Sequence, residues 1–449
     1  MKHIILTFLL FLSISIDTKA DTDTDTLYLT VEKAVEIAVA NNPDVRRVQL
    51  GSALLDKQIQ GAKSNGLPQL NASAGYSDNF TIASQLLPGE IFGQEGQIPV
   101  QFGTRFGVNA GLELSQVIYN RSVKTNLKKL NLARSNVRLQ SLATMEDLVY
   151  NVIQIYIQYQ TTVKTKDILM SNRDRVDQLV GISQAQYENG IIKKLDVDQI
   201  KVNRNNLITE ISNVDISLEQ LTNYLRFYLS INQDQTIILT EELDNEVRYP
   251  LADELLLNEN INYRLLKNQK ILAEYDDEVI KAAKYPTLSA YAQYSYTGQA
   301  NKLNFKSDNY SGFRNGIWGI NASINIFDGF ATKRKLEENK IAREQMDLDL
   351  LQLENAINLE YNNAVTNIRQ NDILISNQLD NMDLANEVYE ITKMSYQEGV
   401  APLTELLNAE TGLKEAQSQY LTALINFKLA ELEHVKSSGQ LAQLININQ

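Results

Sequence analysis

The residue types that carry most enzyme chemistry are nearly absent from this sequence. Its 449 residues include no cysteine and only two histidines, His3 and His434. Thiol catalysis requires cysteine, and zinc binding and proton transfer near neutral pH draw mainly on cysteine and histidine. The sequence also lacks a nucleophile elbow, a phosphate-binding loop and a dinucleotide-binding glycine motif. We therefore predict no catalytic residue, no metal site and no cofactor, and we expect a protein that is not an enzyme.

Carboxylates are the most abundant ionisable groups of the chain. Its 55 Asp and Glu residues outnumber its 42 Lys and Arg residues, and the formal net charge at pH 7 is −13. A nucleic-acid partner is not expected, because phosphate binding requires the opposite charge. The acidity is typical of a soluble surface, and it would also favour cations in a conduit if the acids lined a pore.

The first twenty residues have the order of a secretory signal peptide, predicted over residues 1–20. Lys2 is followed by an apolar run over residues 4–16 and by the small residue Ala20. We expect cleavage before Asp21. A chain without cysteine has no acceptor for an N-terminal lipid, so we expect it not to be lipidated. No later apolar stretch reaches the roughly 18 residues of a membrane-crossing helix.

The chain contains two copies of one unit. Three segments of the first half recur in order in the second half, the first at an offset of 218 and the last at 209. The matching segments are 68–77 with 286–295, 107–110 with 319–322, and 187–190 with 396–399. A period of this length is too long for a solenoid and indicates a duplicated domain. We divide the mature chain into repeats over residues 21–250 and 251–449.

Each repeat contains a pair of segments with alternating apolar and polar residues. Leu70, Ala72, Ala74 and Tyr76 show this alternation in the first repeat. It predicts strands at about 69–84 and 103–119, and at about 287–298 and 314–327 in the second repeat. One apolar and one polar face suit a sheet between lipid and a wet lumen, but a half-buried soluble sheet has the same pattern. The intervening segments 78–103 and 298–313 are rich in turn residues and read as surface connections.

The rest of each repeat predicts long helices. No Gly or Pro occurs from residue 121 to 180 or from 331 to 398. We predict helices at about 121–188, 191–230, 330–398 and 402–437. Apolar residues in the shorter helix of each repeat step by four and three, as in a coiled-coil seam. They are Leu207, Ile211, Val214, Leu218, Leu221, Leu225 and Tyr228 in the first repeat, and Leu406, Ala409, Leu413, Ala416, Tyr420, Ala423, Phe427 and Ala430 in the second, and the two series share one register at an offset of 209.

The fold class is therefore α+β, with four amphipathic strands and long coiled-coil helices. Four strands are too few to close a barrel, because small barrels need about eight. An edge open to lipid is not viable, so a membrane sheet of this kind must be completed by further copies of the chain. These arguments do not choose between two and three copies.

Over almost the whole mature chain, the sequence resembles the TolC family of outer-membrane export factors. The residues that carry the resemblance are Leu29-Thr30-Val31-Glu32-Lys33-Ala34, Asn42-Pro43, Leu67-Pro68, Tyr285-Pro286, Phe327-Asp328-Gly329 and the two turn segments 187–190 and 396–399. Each short motif is weak alone. Their order and their repetition make the signal specific.

The resemblance implies a homotrimer with a twelve-stranded β-barrel in the outer-membrane lipid and a periplasmic barrel of helices. It also implies a periplasmic adaptor protein and an inner-membrane pump of the RND or ABC type, with the chain as the passive channel for small molecules. Type I protein secretion uses the same kind of duct and stays open as an alternative. A soluble periplasmic coiled-coil adaptor is the alternative from another class, since it too would have an export signal and long heptads.

The resemblance also marks a pore constriction. The family has two acidic residues three positions apart just after the second helix turn, and Glu405 and Asn408 occupy these positions. A spacing of three puts both on one helical face. Asn408 departs from the family pattern, so the implied trimer would have one ring of carboxylates and one of amides.

The helix turns and the residues beside them form the implied gate. Gly190 and Gly399 are predicted as helix caps, and Pro402 just inside the next helix; together they mark the tips where an adaptor docks. In the family, a tyrosine and a basic residue close the tip by binding an aspartate. Tyr396 and Asp196 match the first and last of these residues. Ala401 replaces the basic residue, and the nearby Lys193 and Lys194 are candidates to substitute for it.

Overall fold

The computed structural model describes residues 26–241, 254–303 and 310–441. The predicted signal peptide lies outside these residues. The strands are β1 Leu27–Leu29, β2 Gln69–Asp78, β3 Ser84–Pro88, β4 Gln97–Gln101, β5 Phe106–Tyr119, β6 Ile237–Leu239, β7 Thr287–Ala300 and β8 Tyr310–Ser323. The helices are α1 Val31–Asn41, α2 Pro43–Ser64, α3 Arg121–Glu188, α4 Lys194–Leu229, α5 Ile261–Ala282, α6 Ala331–Gln397 and α7 Leu403–Ser437.

The predicted combination of a four-stranded sheet with long helices is confirmed. The two longest helices, α3 and α6, have 68 and 67 residues. At about 1.5 Å per residue, each is roughly 100 Å long. In the described ranges, no helix has both the length and the apolar character needed to cross a membrane.

The chain divides into two compact units that do not follow the sequence repeats. Among the described residues, the first comprises 26–41, 151–241 and 377–425, and the second comprises 42–150, 254–303, 310–376 and 426–441. Each unit thus contains parts of both repeats. The reason is that elements of the two repeats pair with each other inside a unit: in the second unit, for example, β5 of the first repeat pairs with β7 of the second.

The sheet of the second unit has the strand order β2-β5-β7-β8, and its neighbours are antiparallel. Its register places apolar residues in rows across all four strands, such as Leu70, Leu114, Ala292 and Trp318. A row on the opposite face, three positions along the strands, is polar or small and consists of Ser73, Gly111, Ser295 and Asn315. The predicted alternation therefore aligns from strand to strand. Trp318 is 80% exposed within the chain, and Leu70 is also exposed.

Two strands end earlier than the sequence predicts. The strand expected over 69–84 ends at Asp78, where the Asn79 side chain donates to the Thr104 carbonyl, and residues 84–88 pair with 97–101 as a separate hairpin. The strand expected over 314–327 begins at Tyr310 and ends at Ser323. Its last pairing is with Thr287, and Pro286 before it has no N–H to extend the ladder.

The short helices α2 and α5 start in the same way. Asn42 Oδ1 accepts a 2.8 Å hydrogen bond from the Asp44 N–H, and Asn260 Oδ1 accepts one of 3.1 Å from the Tyr263 N–H. These are N-terminal caps, which satisfy backbone donors that lack a partner inside the helix. The two asparagines are 218 residues apart, which is the offset of the strand segments. Equivalent sequence therefore makes an equivalent helix start in both repeats.

In the first unit, helices from both repeats share one apolar core. Its buried members are Leu169, Val176, Leu179, Ile200 and Leu207 from the first repeat, and Tyr389, Tyr396, Leu403, Leu406 and Leu413 from the second. Leu207, Leu406 and Leu413 belong to the apolar rhythm read from the sequence. We call this contact the in-chain seam.

Candidate functional site

The two helix turns of the first unit have the same backbone geometry. Gly190 ends α3 with φ +74°, and Gly399 ends α6 with φ +71°. In both turns, the glycine N–H and the N–H of the next residue donate to carbonyls of the last helical turn. The second of these bonds runs from Ile191 to the Gln186 carbonyl in one turn and from Val400 to the Ser395 carbonyl in the other, each at 2.9 Å. This is the Schellman cap, which requires a left-handed residue that glycine adopts without steric penalty.

Pro402 lies one residue before α7 and not just inside the helix, as the sequence predicts. Helix α7 begins at Leu403, and the Pro402 carbonyl accepts from the Glu405 N–H at 3.1 Å. The missing N–H of a proline costs nothing at either position, because no donor at the start of a helix has a partner within it.

Glu405 and Asn408 lie close together on the first turns of α7. Both are exposed, and both line a groove of about 570 Å³ between α6 and α7. Its other lining residues are Asn381, Leu384, Ala385, Val388, Thr392, Ala409 and Gly412. We call this surface the α6–α7 groove. The two predicted constriction residues are therefore neighbours on one accessible face.

The predicted gate residues Tyr396 and Asp196 have other partners within the chain. The Tyr396 hydroxyl is buried and shares a 3.2 Å hydrogen bond with the Ser183 hydroxyl on α3. Asp196 Oδ2 accepts a 3.0 Å hydrogen bond from the Lys193 backbone N–H at the start of α4. The carboxylate thus caps a helix N-terminus, which is a favourable position for a negative charge. A direct bond between Tyr396 and Asp196 stays a prediction for the assembled tip.

The two candidate basic residues are placed beside this cap. Lys193 and Lys194 are both exposed, and α4 begins at Lys194. Ala401, which replaces the basic residue of the family, donates its backbone N–H to the Ser395 carbonyl at 3.1 Å. The lysines therefore lie at the tip, near Asp196 along the chain.

A polar network within the in-chain seam is not among the sequence predictions. Asn203 on α4 donates a 2.7 Å hydrogen bond to the Glu410 carboxylate on α7, and Lys414 forms an ion pair of 2.5 Å with Glu210. On α3, Asn172 donates to Gln417 Oε1 at 3.0 Å. The Arg175 guanidinium donates to Asn172 Oδ1 and lies 5.3 Å from the centre of the Tyr389 ring. The network therefore joins all four long helices.

Burial changes the ionisation of two members of this network. It raises the pKa of Glu410 from 4.5 to about 7, although the hydrogen bond from Asn203 and the charges of Arg175 and Lys414 act in the opposite direction. Burial also raises the pKa of Tyr389 to about 12, with the Glu410 charge adding to the effect. Desolvation disfavours the charged form of each group, so Glu410 titrates near neutral pH.

A sequence signal for the network exists but is weak. Glu410 directly follows Ala409, and Gln417 directly follows Ala416, two residues of the apolar rhythm. Positions next to the apolar residues of a coiled coil often carry polar groups that pair with the neighbouring helix. Lys428 and Glu431 follow the rhythm residues Phe427 and Ala430 in the same way without belonging to this network, so sequence alone does not identify its members. Within the described ranges, no group of three or more His, Asp or Glu side chains is arranged to hold a metal ion.

Comparison with known proteins gives a consistent family. The profile of the family described as outer membrane efflux protein matches residues 34–229 and 269–440, one segment in each repeat. Outer membrane protein TolC of Vibrio cholerae is 18% identical over 419 residues, which are 90% of this chain and 90% of that protein. Nodulation protein T of Rhizobium leguminosarum bv. trifolii is 18% identical and covers 87% of this chain and 81% of its own.

Solved structures share the fold. CusC matches with a TM-score of 0.72 at 18% identity and covers 91% of each chain. The Campylobacter jejuni CmeC outer membrane channel matches with a TM-score of 0.72 at 15% identity, over 91% of this chain and 85% of that one. At these identities the likeness establishes the fold, and both repeats are included in it.

Proposed function

Because the chain belongs to the outer membrane efflux protein family, we propose that it is the passive outer-membrane duct of a tripartite efflux system. The protein is an efflux channel of the outer membrane. This location is incompatible with a soluble periplasmic adaptor. An inner-membrane pump supplies the energy in this proposal, a periplasmic adaptor joins pump and duct, and small molecules are the cargo. The duct itself catalyses no reaction.

The observation that carries the proposal is the apolar face of the four-stranded sheet. Its apolar residues align in register across all four strands, and Trp318, Leu70 and Ile320 are exposed within the chain. Solvated apolar area of this kind is costly in water and is typical of a lipid-facing surface. The edge strands β2 and β8 have unpaired backbone groups along one side. We propose that three copies pair these edges and close a twelve-stranded barrel.

The long helices form the periplasmic part of the duct in this proposal. Glu405 and Asn408 supply its narrowest rings, one of carboxylates and one of amides. Their exposure in the first turns of α7 supports this role, since rings of acidic side chains are a recurrent device for selecting cations. The tips formed by Gly190, Gly399 and Pro402 dock the adaptor.

Closure of the tip is assigned to bonds that hold the helix turns together. The buried Tyr396 hydroxyl shares a hydrogen bond with Ser183 on α3, and the Asp196 carboxylate accepts a hydrogen bond at the start of α4. We propose that both hold the tip closed, assisted by Lys193 or Lys194, and that adaptor binding releases them. Tyr396→Phe or Asp196→Ala should then raise the leak conductance of single channels in a planar bilayer. Asp198→Ala, at an exposed position of the same helix, is the control; equal leak in all variants would reject the gate.

The oligomer and its lipid-facing surface can be tested together. Native mass spectrometry of the detergent-extracted outer-membrane fraction should show a trimer. Ile320 and Asn321 are adjacent in β8 and face opposite sides of the sheet. Ile320→Arg should reduce the trimer in that fraction, because a charge on the lipid face of a membrane sheet is destabilising. Asn321→Arg should leave it unchanged. A monomer in the soluble periplasmic fraction would contradict the proposal.

The cargo is tested in cells that lack their own outer-membrane efflux channel. Expression of the chain with its cognate adaptor and pump should restore resistance to small toxic compounds. Restored export of a protein substrate without restored resistance would favour type I secretion instead.

A further inference from the structure

The two ends of the four-stranded sheet have different connections. Helix α2 leads into β2 at one end, and α3 and α6 follow β5 and β8 at the same end. The connection from β2 to β5 leaves from the opposite end, where Asp78 pairs with Phe106. The long helices are periplasmic in the proposed function, so this opposite end faces the outer leaflet of the membrane. We call it the outer end of the sheet.

The apolar face of the sheet has one charge that is not matched by another. This face consists of the alternate residues in register with Leu70 and Trp318, and within the four strands its only charged members are Asp78 and Arg314. The Asp78 carboxylate is neutralised by Arg105, whose Nε lies 2.9 Å from it. Arg314 is exposed, and none of the described residues forms an ion pair with it.

Arg314 lies at the level expected for lipid headgroups. The apolar band of an outer-membrane sheet is about 25 Å tall, which takes about ten residues of a strand tilted by about 40°. Arg314 is ten residues from Ile324, an exposed apolar residue just past the helix-side end of β8. Tyr296 is in register with Arg314, and Tyr294 with Gly316, the next position on the same face. Tyrosines gathered at one level of a lipid-facing sheet mark a lipid–water interface.

Two glycines and two tyrosines form a niche around Arg314. Gly312 and Gly316 are its neighbours on the same face of β8. A Cβ at Gly312 would overlap the Tyr296 hydroxyl, and a Cβ at Gly316 would lie 3.6 Å from Tyr294 Cδ2. The tyrosine rings therefore extend over the glycine positions on either side of Arg314. We call this arrangement the Arg314 niche.

The chemistry of the niche fits a phosphate group attached to a lipid. A guanidinium is a planar fork of N–H donors that binds phosphate through two parallel hydrogen bonds. On a lipid-facing surface it loses hydrating water and requires an anionic partner. Phosphate-bearing headgroups supply such an anion at the membrane interface, and tyrosine rings offer apolar surface to the adjoining part of the lipid.

We infer that the Arg314 niche binds the phosphate of a lipid headgroup in the outer leaflet. The inference rests on the proposed outer-membrane channel and adds a specific lipid partner to it. Each copy of the chain has one such niche, so the proposed trimer has three. Asp78 offers no alternative partner, because Arg105 already neutralises it.

Lipid titration of the purified trimer tests the inference. Native mass spectrometry in detergent measures the apparent dissociation constant for phosphatidic acid, whose headgroup is a single phosphate. Arg314→Gln should weaken this binding about tenfold, because it removes hydrogen bonds to a charged group. Arg314→Lys should give an intermediate value, since it keeps the charge and loses the fork. The matched control Arg369→Gln, at an exposed position of α6, should bind like the natural chain.

Two further ligands identify the group that is bound. Diacylglycerol with the same acyl chains lacks the phosphate, so its binding should be weak and equal in the natural chain and Arg314→Gln. Inorganic phosphate should not displace phosphatidic acid at equal concentration, because it lacks the apolar part that contacts the tyrosines. Equal displacement would show a site for free anions and contradict the lipid assignment.

The outcomes separate this inference from the proposed function. If the natural chain and Arg314→Gln are both trimers and bind phosphatidic acid equally, the niche is overturned and the channel stands. A natural chain that forms no trimer in the outer-membrane fraction would reject both. If Arg314→Gln fails to assemble, the natural trimer is crosslinked with phosphatidic acid that carries a photo-reactive group near the glycerol. The labelled peptide should contain residues from 294–296 or 312–316, and labelling only elsewhere contradicts the inference.

Discussion

Equivalent helical faces of the two repeats differ in burial: the face in the first repeat is covered, and the face in the second repeat is open. In the first repeat, Val176, Leu179 and Ile200 are buried under α6 and α7. In the second repeat, the equivalent residues in the α6–α7 groove are Ala385, Val388 and Ala409. The covered face thus has the larger side chains. Apolar volume follows burial here, because each additional buried methylene contributes about 0.8 kcal/mol while an exposed one contributes little.

Polar residues differ more strongly between the two faces. Arg175 and Asn203 in the in-chain seam correspond to Leu384 and Gly412 in the groove, and Glu410 corresponds to Lys201. The buried network around Glu410 therefore has no equivalent on the face that lines the α6–α7 groove. A network of this kind fixes one arrangement of helices, because any other arrangement leaves buried polar groups without partners. The groove face lacks this constraint.

The largest effect is expected from removing a side chain at the centre of the in-chain seam. Leu406 has 0% exposure, and Leu406→Ala should lower the free energy of unfolding by about 3 kcal/mol through lost burial and a cavity. Thr404→Ala, at an exposed position of the same turn, should change it by less than about 0.5 kcal/mol. Chemical denaturation followed by circular dichroism measures both. If the two variants lose similar unfolding free energy, the in-chain seam is not a packed core.

The charge of Glu410 should make the seam sensitive to pH. The pKa of Glu410 is about 7 in the folded chain, above the ordinary 4.5. Between pH 4.5 and pH 7, Glu410 is therefore protonated in the folded chain and ionised in the unfolded chain. Stability should therefore fall as pH rises from about 4.5 to about 7, by up to about 2 to 3 kcal/mol. Glu410→Gln should remove this component and stabilise the protein at pH 8.

The control for this pH dependence is Glu415→Gln, an exposed carboxylate on the same helix. Its unfolding free energy should follow the natural chain between pH 5 and pH 8. If Glu410→Gln shows the same pH slope as the natural chain, Glu410 is not the titrating group.

Substitution of the capping glycine should have the same effect in both helix turns, whereas the two helical faces differ. Gly190→Ala and Gly399→Ala each place a Cβ at a φ above +70° and should cost about 1 to 2 kcal/mol. Gly181→Ala inside α3 should instead stabilise by about 0.5 to 1 kcal/mol, because nothing lies within 4 Å of the added Cβ and alanine favours helix. Thermal denaturation measures all three. Opposite effects at positions 190 and 399 would show that the turns have diverged.

The smallest effect concerns the two equivalent tyrosines. Tyr396→Phe removes the bond to buried Ser183 and should lower the unfolding free energy by about 1 kcal/mol. Tyr187 is 40% exposed, so Tyr187→Phe should change the unfolding free energy by less than about 0.5 kcal/mol. Chemical denaturation of the two variants measures the difference. Equal losses in the two variants would mean that the bond between Tyr396 and Ser183 does not stabilise the chain.

Much of the fold can be predicted from local sequence pattern. The helix predicted over 121–188 coincides with α3, and the other long helices differ from their predicted bounds by three residues or fewer. The absence of Gly and Pro and the regular apolar rhythm explain this agreement, because both act through neighbouring residues. Strand ends were harder to predict. A strand end depends on the partner strand. For example, β8 ends at Ser323 because its partner β7 begins at Thr287, directly after Pro286.

The sequence by itself determined the family, the duplication and the kinds of element, because these follow from motif order, an internal offset and hydrophobic periodicity. Only the tertiary structure decided which copy of the helical face is covered, and it placed Tyr396 against Ser183 and Glu410 against Asn203. Two equivalent sequences have the same intrinsic preferences. Which of them is buried depends on contacts between residues more than 200 positions apart, and no local pattern records those contacts.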